Sequence, residues 1–237
     1  MVEIRIRTCP ARAEKAENLR NELELPETSV FTDDRENGGN PLYMWFKMIE
    51  NIPADATHIC LLDDDVEVST GFKQIVEQMT AAHSQCAFSL FTTDLNSGYF
   101  DDFISNLETP YVTCSKLFGC AVILPVSILE ECFNWIGTNC NLETAHDGHV
   151  VQEYLEQKGI QILTTIPGTV QHDGDVSLYD PGLPIRRTAR FQKEPVADWT
   201  STEIAQTPSL KWFAPTGKKS DNMSFADALS ILRGDYR

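Results

Sequence analysis

The chain is short of positive charge: 19 Lys and Arg stand against 35 Asp and Glu, a formal net charge of −16. That disfavours a nucleic-acid binder of the usual basic kind, because neutralising phosphates takes clustered Lys and Arg. An acidic body confers solubility, and it also suits a protein that recruits Mg2+ or Mn2+. No apolar run approaches the ~20 residues that a membrane span needs. Met1 to Thr8 alternate apolar and charged side chains, which is not the pattern of a signal peptide, so a cytoplasmic location is expected. The seven cysteines (Cys9, Cys60, Cys86, Cys114, Cys120, Cys132 and Cys140) include no C-x-x-C pair. Neither a zinc site nor a disulfide framework is signalled, and cysteines inside apolar runs, such as Cys60, read as small buried hydrophobes. Internal repeats and low-complexity segments are missing too.

What is present is an ordinary globular composition, 42% hydrophobic in 237 residues, enough for one large α/β domain or two small ones. Val2, Ile4 and Ile6 alternate with Glu3, Arg5 and Arg7, the period of a half-buried strand. Residues 11–24 are rich in Ala, Glu, Lys and Leu and predict a helix. Ser29 to Thr32 predicts a second strand, and Pro41 opens a helix carrying Leu42, Trp45, Phe46 and Ile49 at helical spacing. Thr57 to Leu62 is continuously apolar, as in a strand buried on both faces. A helix over 71–82, strands over 87–91, 111–113 and 121–124, and a helix over 126–135 follow. A helix over 147–158 is closed by Gly159, and a strand covers 160–164. The alternation predicts a mostly parallel α/β sheet flanked by helices. Residues 1–175 read as the catalytic core. Residues 176–237, punctuated by prolines, read as an irregular C-terminal extension packed on it, with a short helix over 225–233.

Chemistry concentrates where the apolar strand stops, at Leu62-Asp63-Asp64-Asp65-Val66. Adjacent carboxylates at the end of a buried strand are costly unless a cation compensates them. Hard oxygen ligands favour Mg2+ or Mn2+, and a metal held by one or two carboxylates can bridge a diphosphate and help it leave. The competing reading is a solvated acidic turn. An Asp-x-Asp phosphatase, with Asp63 as nucleophile, uses similar chemistry, but such a motif is expected on a first strand, and here two strands precede it. A calcium loop would want Gly where Val68 stands.

The order of Asp63-Asp64-Asp65, Phe118-Gly119-Cys120-Ala121, Thr144-Ala145-His146-Asp147-Gly148 and Val170-Gln171-His172 resembles the GT-A glycosyltransferases, in particular small bacterial and phage members. The resemblance spans most of residues 2–177. It implies a Rossmann-like GT-A fold, with Asp65 as a direct metal ligand and Asp63 on the ribose or on a metal-bound water. Asp64 and Gly119 would lie on the donor side. His172 would be a second ligand reaching back from the C-terminal side. Read by itself, His172 sits in a polar turn, where a surface or capping role is equally open. Asp147 would be the base of an inverting displacement. It also reads as an N-cap, and the usual Glu-Asp of the family is His146-Asp147 here, which keeps His146 and Glu143 as substitutes.

The same resemblance places the nucleotide at the turn after the first strand, with Thr8 and Arg12. It places Asp33 on a uracil-like N–H and Gly39, in Gly38-Gly39-Asn40, against the nucleotide. Each of these also reads as plain loop. Arg187, with Arg186 and Arg190, can clamp a diphosphate or phosphate backbone, or pair with the acidic body. The implied activity is transfer of a hexose from a nucleotide sugar, UDP-linked, to a hydroxyl acceptor with Mn2+ or Mg2+ as cofactor. The acceptor is a saccharide or a hydroxymethylated DNA base. A phosphatase or phosphotransferase, and a non-catalytic nucleotide-sugar or metal-binding module, are the alternatives.

Overall fold

The computed structural model describes residues 1–35, 41–91, 107–113, 116–142, 145–172 and 191–206. Strands β1 (Val2–Thr8), β2 (Val30–Thr32), β3 (His58–Asp63), β5 (Ala87–Ser89), β6 (Tyr111–Thr113), β7 (Ala121–Pro125) and β8 (Ile162–Thr165) form one sheet in the order β2-β1-β3-β7-β5-β8-β6. β2, β1 and β3 run parallel, and β5 and β8 are parallel to each other. β7 lies antiparallel between the two groups, and β6 is antiparallel at the edge. This is the mostly parallel α/β sheet expected from the sequence. A separate two-stranded ribbon pairs β4 (Val66–Val68) with β9 (Val170–His172).

Two apolar layers cover the sheet, and β3 shows how its sequence serves both. Ile59 and Leu61 point into a core with Leu42, Trp45, Phe46, Phe133, Val151 and Leu155. These come from helices α2 (Pro41–Met48), α4 (Val126–Asn139) and α5 (Asp147–Lys158). Cys60 and Leu62 point the other way, to Ile4, Ile6, Leu19, Phe72 and Val76, with α1 (Ala13–Glu22) and α3 (Phe72–Ala82). An apolar side chain fully buried in this way contributes about 1.5–3 kcal/mol. Hence the continuous apolar run, rather than alternation, marks the central strand.

β1 departs from the half-buried strand that its alternation predicts. Arg5 is buried, and its guanidinium donates to the carbonyls of Met48 and Glu50 at 2.6 Å and of Asn51 at 3.0 Å. Those groups lie at and beyond the end of α2, where carbonyls lack helical partners. Arg5 thus caps a helix from inside the sheet, and both faces of β1 are covered.

Of residues 191–206, Gln192 and Lys193 meet the end of β4, and the stretch 199–205 lies along the β6 edge of the sheet. Ala205 bridges Val112, the Thr113 N–H donates to the Ala205 carbonyl at 2.9 Å, and the Tyr111 hydroxyl donates to the Trp199 carbonyl at 2.5 Å. The rest of the expected extension, including the 225–233 helix, lies outside the described residues. Among the described residues no helix is long and apolar enough to cross a membrane.

Candidate active site

The carboxyl ends of β1, β2 and β3 lie side by side, the positions where open α/β sheets bind ligands. The Asp33 N–H donates to the Thr8 carbonyl at 2.8 Å, and the Asp63 N–H to the Cys120 carbonyl at 2.8 Å. These bonds bring the turn after β1, the loop after β2, the acidic end of β3 and the 118–121 segment to one rim.

Each aspartate of the run has its own partner. Both oxygens of Asp63 accept from Arg7, Oδ1 from Nε and Oδ2 from Nη2 at 3.1 Å. Asp64 Oδ2 accepts from the Thr8 hydroxyl at 2.6 Å, and its Oδ1 lies 3.4 Å from Arg12 Nη1. Asp65 Oδ2 accepts from the same Arg12 nitrogen and stands 3.4 Å from His172 Nε2. Asp64 and Asp65 are buried.

The electrostatics follow from this crowding. Burial pushes the Asp63 carboxyl up to about 7, against the pull of Arg7, and the neighbouring Asp65 and Asp147 add to the push. Burial likewise raises Asp64, although the Thr8 hydroxyl favours its anion. Burial works against both guanidinium groups, yet their carboxylate partners outweigh it and hold Arg7 and Arg12 charged. Burial, reinforced by Asp63 and Asp65, drives the half-buried Cys120 thiol far up, which favours its neutral form.

His172 reaches the site by strand pairing. It is the last residue of β9, in register with Val66 of β4, directly after Asp65. It therefore ends a strand and does not sit in the polar turn that the sequence suggests. Its other ring nitrogen, Nδ1, is buried and has no hydrogen-bond partner among the described residues. An aspartate oxygen and an imidazole nitrogen at this separation could share one divalent cation, and the mixed oxygen and nitrogen pair suits Mn2+ better than Mg2+. Among the described residues no three His, Cys, Asp or Glu side chains gather around one point. A metal on Asp65 and His172 would complete its shell from water and substrate phosphates, as Mg2+ commonly does.

Asp147 is the first residue of α5, not its N-cap; His146 holds that position without a side-chain capping bond. The Asp147 carboxylate accepts from Arg7 Nη1 at 2.6 Å and from the Gly148 N–H at 2.7 Å. Arg7 therefore joins Asp63 to Asp147. A Cβ on Gly119 would lie 2.8 Å from Asp147 Oδ1, so this glycine leaves the carboxylate its room.

The remaining expected residues divide. Thr8 and Arg12 are in the site, on the aspartates themselves. Asp33 is on the same rim, but its carboxylate is engaged by Arg35, with Nε at 2.7 Å, and Arg35 stacks 4.0 Å above the Tyr43 ring. His146 is described and lies beside the His149 ring at 5.6 Å. Gly39, Glu143 and Arg186, Arg187 and Arg190 lie outside the described residues. Sequence reasoning missed Arg7. Its polar position in an alternating strand predicts a side chain facing water, and no local signal marks it as part of the site.

No family model matches the chain, and no curated protein is similar to it in sequence. Among solved structures it is similar to a complex of a mutant Drosophila β-1,4-galactosyltransferase 7 with manganese, UDP-Gal and xylobiose. Identity is 10%, 73% of this chain and 71% of that chain are covered, and the TM-score is 0.38.

Proposed function

We propose that the chain is a divalent-metal-dependent glycosyltransferase that moves a hexose from a UDP-linked donor to a hydroxyl acceptor with inversion. The observation that supports this best is the meeting of Asp65 and His172, 3.4 Å apart, on a rim that also carries Asp147. A metal-donor pair beside a separately anchored carboxylate is what displacement of a diphosphate by a hydroxyl requires.

In this reading Asp65 and His172 hold Mn2+ or Mg2+, which when bound stabilises charge on the departing diphosphate. Asp63 and Asp64 lie on the donor side. Asp147 takes the proton of the acceptor hydroxyl as its oxygen attacks the anomeric carbon. Arg7 fixes the direction of that carboxylate, and Gly119 packs closely against it without the Cβ that would displace it. The acceptor is a saccharide or a hydroxymethylated DNA base. The net charge of −16 weighs toward the saccharide.

The test is a panel of UDP- and GDP-sugars with and without Mn2+, followed by calorimetry and by release of the nucleoside diphosphate in the presence of saccharide acceptors. Metal-dependent binding of one donor and release of its diphosphate are expected. Binding without turnover under any acceptor would favour the non-catalytic module, and no binding would overturn the reading.

A further inference from the structure

Among the described residues of the site, four carboxylates (Asp63, Asp64, Asp65 and Asp147) meet two guanidinium groups, Arg7 and Arg12. The two arginines are held differently. Arg7 stands near the carboxyl end of β1, between β2 and β3, and is locked by three bonds between Asp63 and Asp147. Arg12 ends a single 3-10 turn, Pro10–Arg12, at the mouth of the rim. Through Nη1 it touches both Asp64 and Asp65. Its contact on Asp65 is Oδ2, the same oxygen that faces His172 Nε2 at 3.4 Å.

A cation shared by Asp65 Oδ2 and His172 Nε2 and the Arg12 guanidinium therefore compete for one oxygen. In a buried, weakly screened site, two cations on one oxygen repel each other, so each weakens the hold of the other. We propose that Arg12 is a resident counter-cation that a divalent metal displaces from Asp65, and that the displaced guanidinium then binds the diphosphate of the donor. This rests on the reading of Asp65 and His172 as the metal pair. It assigns Arg12 two sequential partners: a carboxylate before the metal arrives and a phosphate after it. Guanidinium suits both, because its planar fork matches either anion. The arrangement keeps the buried aspartates neutralised without metal, and it makes tight donor binding conditional on metal binding.

The exchange predicts effects of opposite sign from one substitution. Arg12→Gln removes the competitor, so Mn2+ should bind about tenfold more tightly, read as free Mn2+ by electron paramagnetic resonance. The same variant, saturated with Mn2+, should bind UDP about tenfold more weakly by calorimetry, the loss of one charge-assisted contact. A simple donor-binding role would change UDP affinity alone. A simple structural role would weaken both.

Unchanged or weaker Mn2+ binding in Arg12→Gln, with wild type binding normally, overturns the exchange and leaves the metal pair standing. Unchanged UDP affinity overturns the second half. Mn2+ binding only in the variant supports the exchange in its strongest form, and binding in neither protein overturns the metal pair and the exchange together. If Arg12→Gln does not fold, Arg12→Lys carries the test, because a single ammonium grips Asp65 less well and should give the same two shifts at smaller size.

Discussion

Gly119 faces the Asp147 carboxylate so closely that a Cβ at Gly119 would lie 2.8 Å from Oδ1 and 3.0 Å from Oδ2. The glycine therefore sets where the carboxylate can stand. Gly119→Ala should push Asp147 off its bond to Arg7 while the sheet stays intact. Sugar transfer should fall by about tenfold or more, since misplacing a reacting group by a fraction of an ångström is costly. Gly148→Ala should act differently. Its Cβ would lie 2.5 Å from the Leu117 backbone carbonyl, so the loss should appear as about 1–3 kcal/mol of stability. Melting curves and transfer rates on both variants separate the two effects. Equal loss of stability in both would mean that Gly119 is merely a packing position.

Asp147→Asn isolates the proton transfer. Asn keeps an oxygen that can accept from the Gly148 N–H at the start of α5, and Arg7 keeps both of its bonds to Asp63. Stability should change by about 1–3 kcal/mol, the worth of one charge-assisted hydrogen bond. Donor and metal affinity should stay near wild type. Single-turnover transfer should drop by roughly 10²–10⁴, the usual contribution of a general base. Near-normal turnover would remove Asp147 from the mechanism and leave His146 or Glu143 to be tested.

The legible and illegible parts of this molecule divide by range along the chain. The end of β3 was readable because the apolar run Ile59 to Leu62 gives way at once to three carboxylates, a contrast between neighbours. The β4–β9 ribbon was not readable. Val66–Val68 is three residues long, and its partner, Val170–His172, lies far away in the chain, so no local pattern announces the pair. Yet this ribbon carries His172 to Asp65, a proximity that family resemblance could imply and periodicity could not. Arg5 and Arg7 show a different loss. Both occupy polar positions of an alternating strand, and alternation alone predicts that both face water. The end of α2 covers one, and two aspartates from separate elements hold the other. Nothing within Val2–Thr8 tells a helix-capping arginine from one that anchors the site.

His58 gives the fold a dependence on pH. It is buried at the start of β3, with Nδ1 3.1 Å from the Thr57 hydroxyl and Nε2 3.1 Å from the Ser84 carbonyl. Burial holds its pKa below the ordinary 6.5, and the nearby N-terminus adds to this, while the Ser84 carbonyl and Glu77 act the other way. The unfolded chain therefore takes up a proton near pH 6.5 that the folded chain resists. The contribution of His58 is fully present above that pH and is lost as pH falls toward the folded value. His58→Gln keeps a donor for the Ser84 carbonyl and cannot titrate. Its melting temperature should fall less steeply than that of wild type as the pH is lowered from 7.5. Parallel curves would show that His58 plays no part. Comparing slopes cancels the carboxylates, which both proteins share.

The metal pair predicts unequal losses. Asp65 supplies the anionic ligand, and its carboxylate is placed by the turn that ends β3. Asp65→Ala should abolish Mn2+ binding in the millimolar range, because a neutral imidazole by itself holds the ion poorly. It should also free Arg12 from its strongest partner. His172→Ala keeps the carboxylate and loses one of two protein ligands, so Mn2+ should bind about tenfold to a hundredfold more weakly, not vanish. His172 pairs with Val66 through backbone bonds, so the ribbon should survive its truncation. His172→Asn offers a further check, since an amide oxygen can still ligate a hard cation and should restore part of the lost affinity. Calorimetry with Mn2+ on the three variants, with melting curves to confirm the fold, makes the comparison. Wild-type Mn2+ affinity in Asp65→Ala would remove the metal from this rim. An equal loss in Asp65→Ala and His172→Ala would mean that neither ligand alone gives measurable binding.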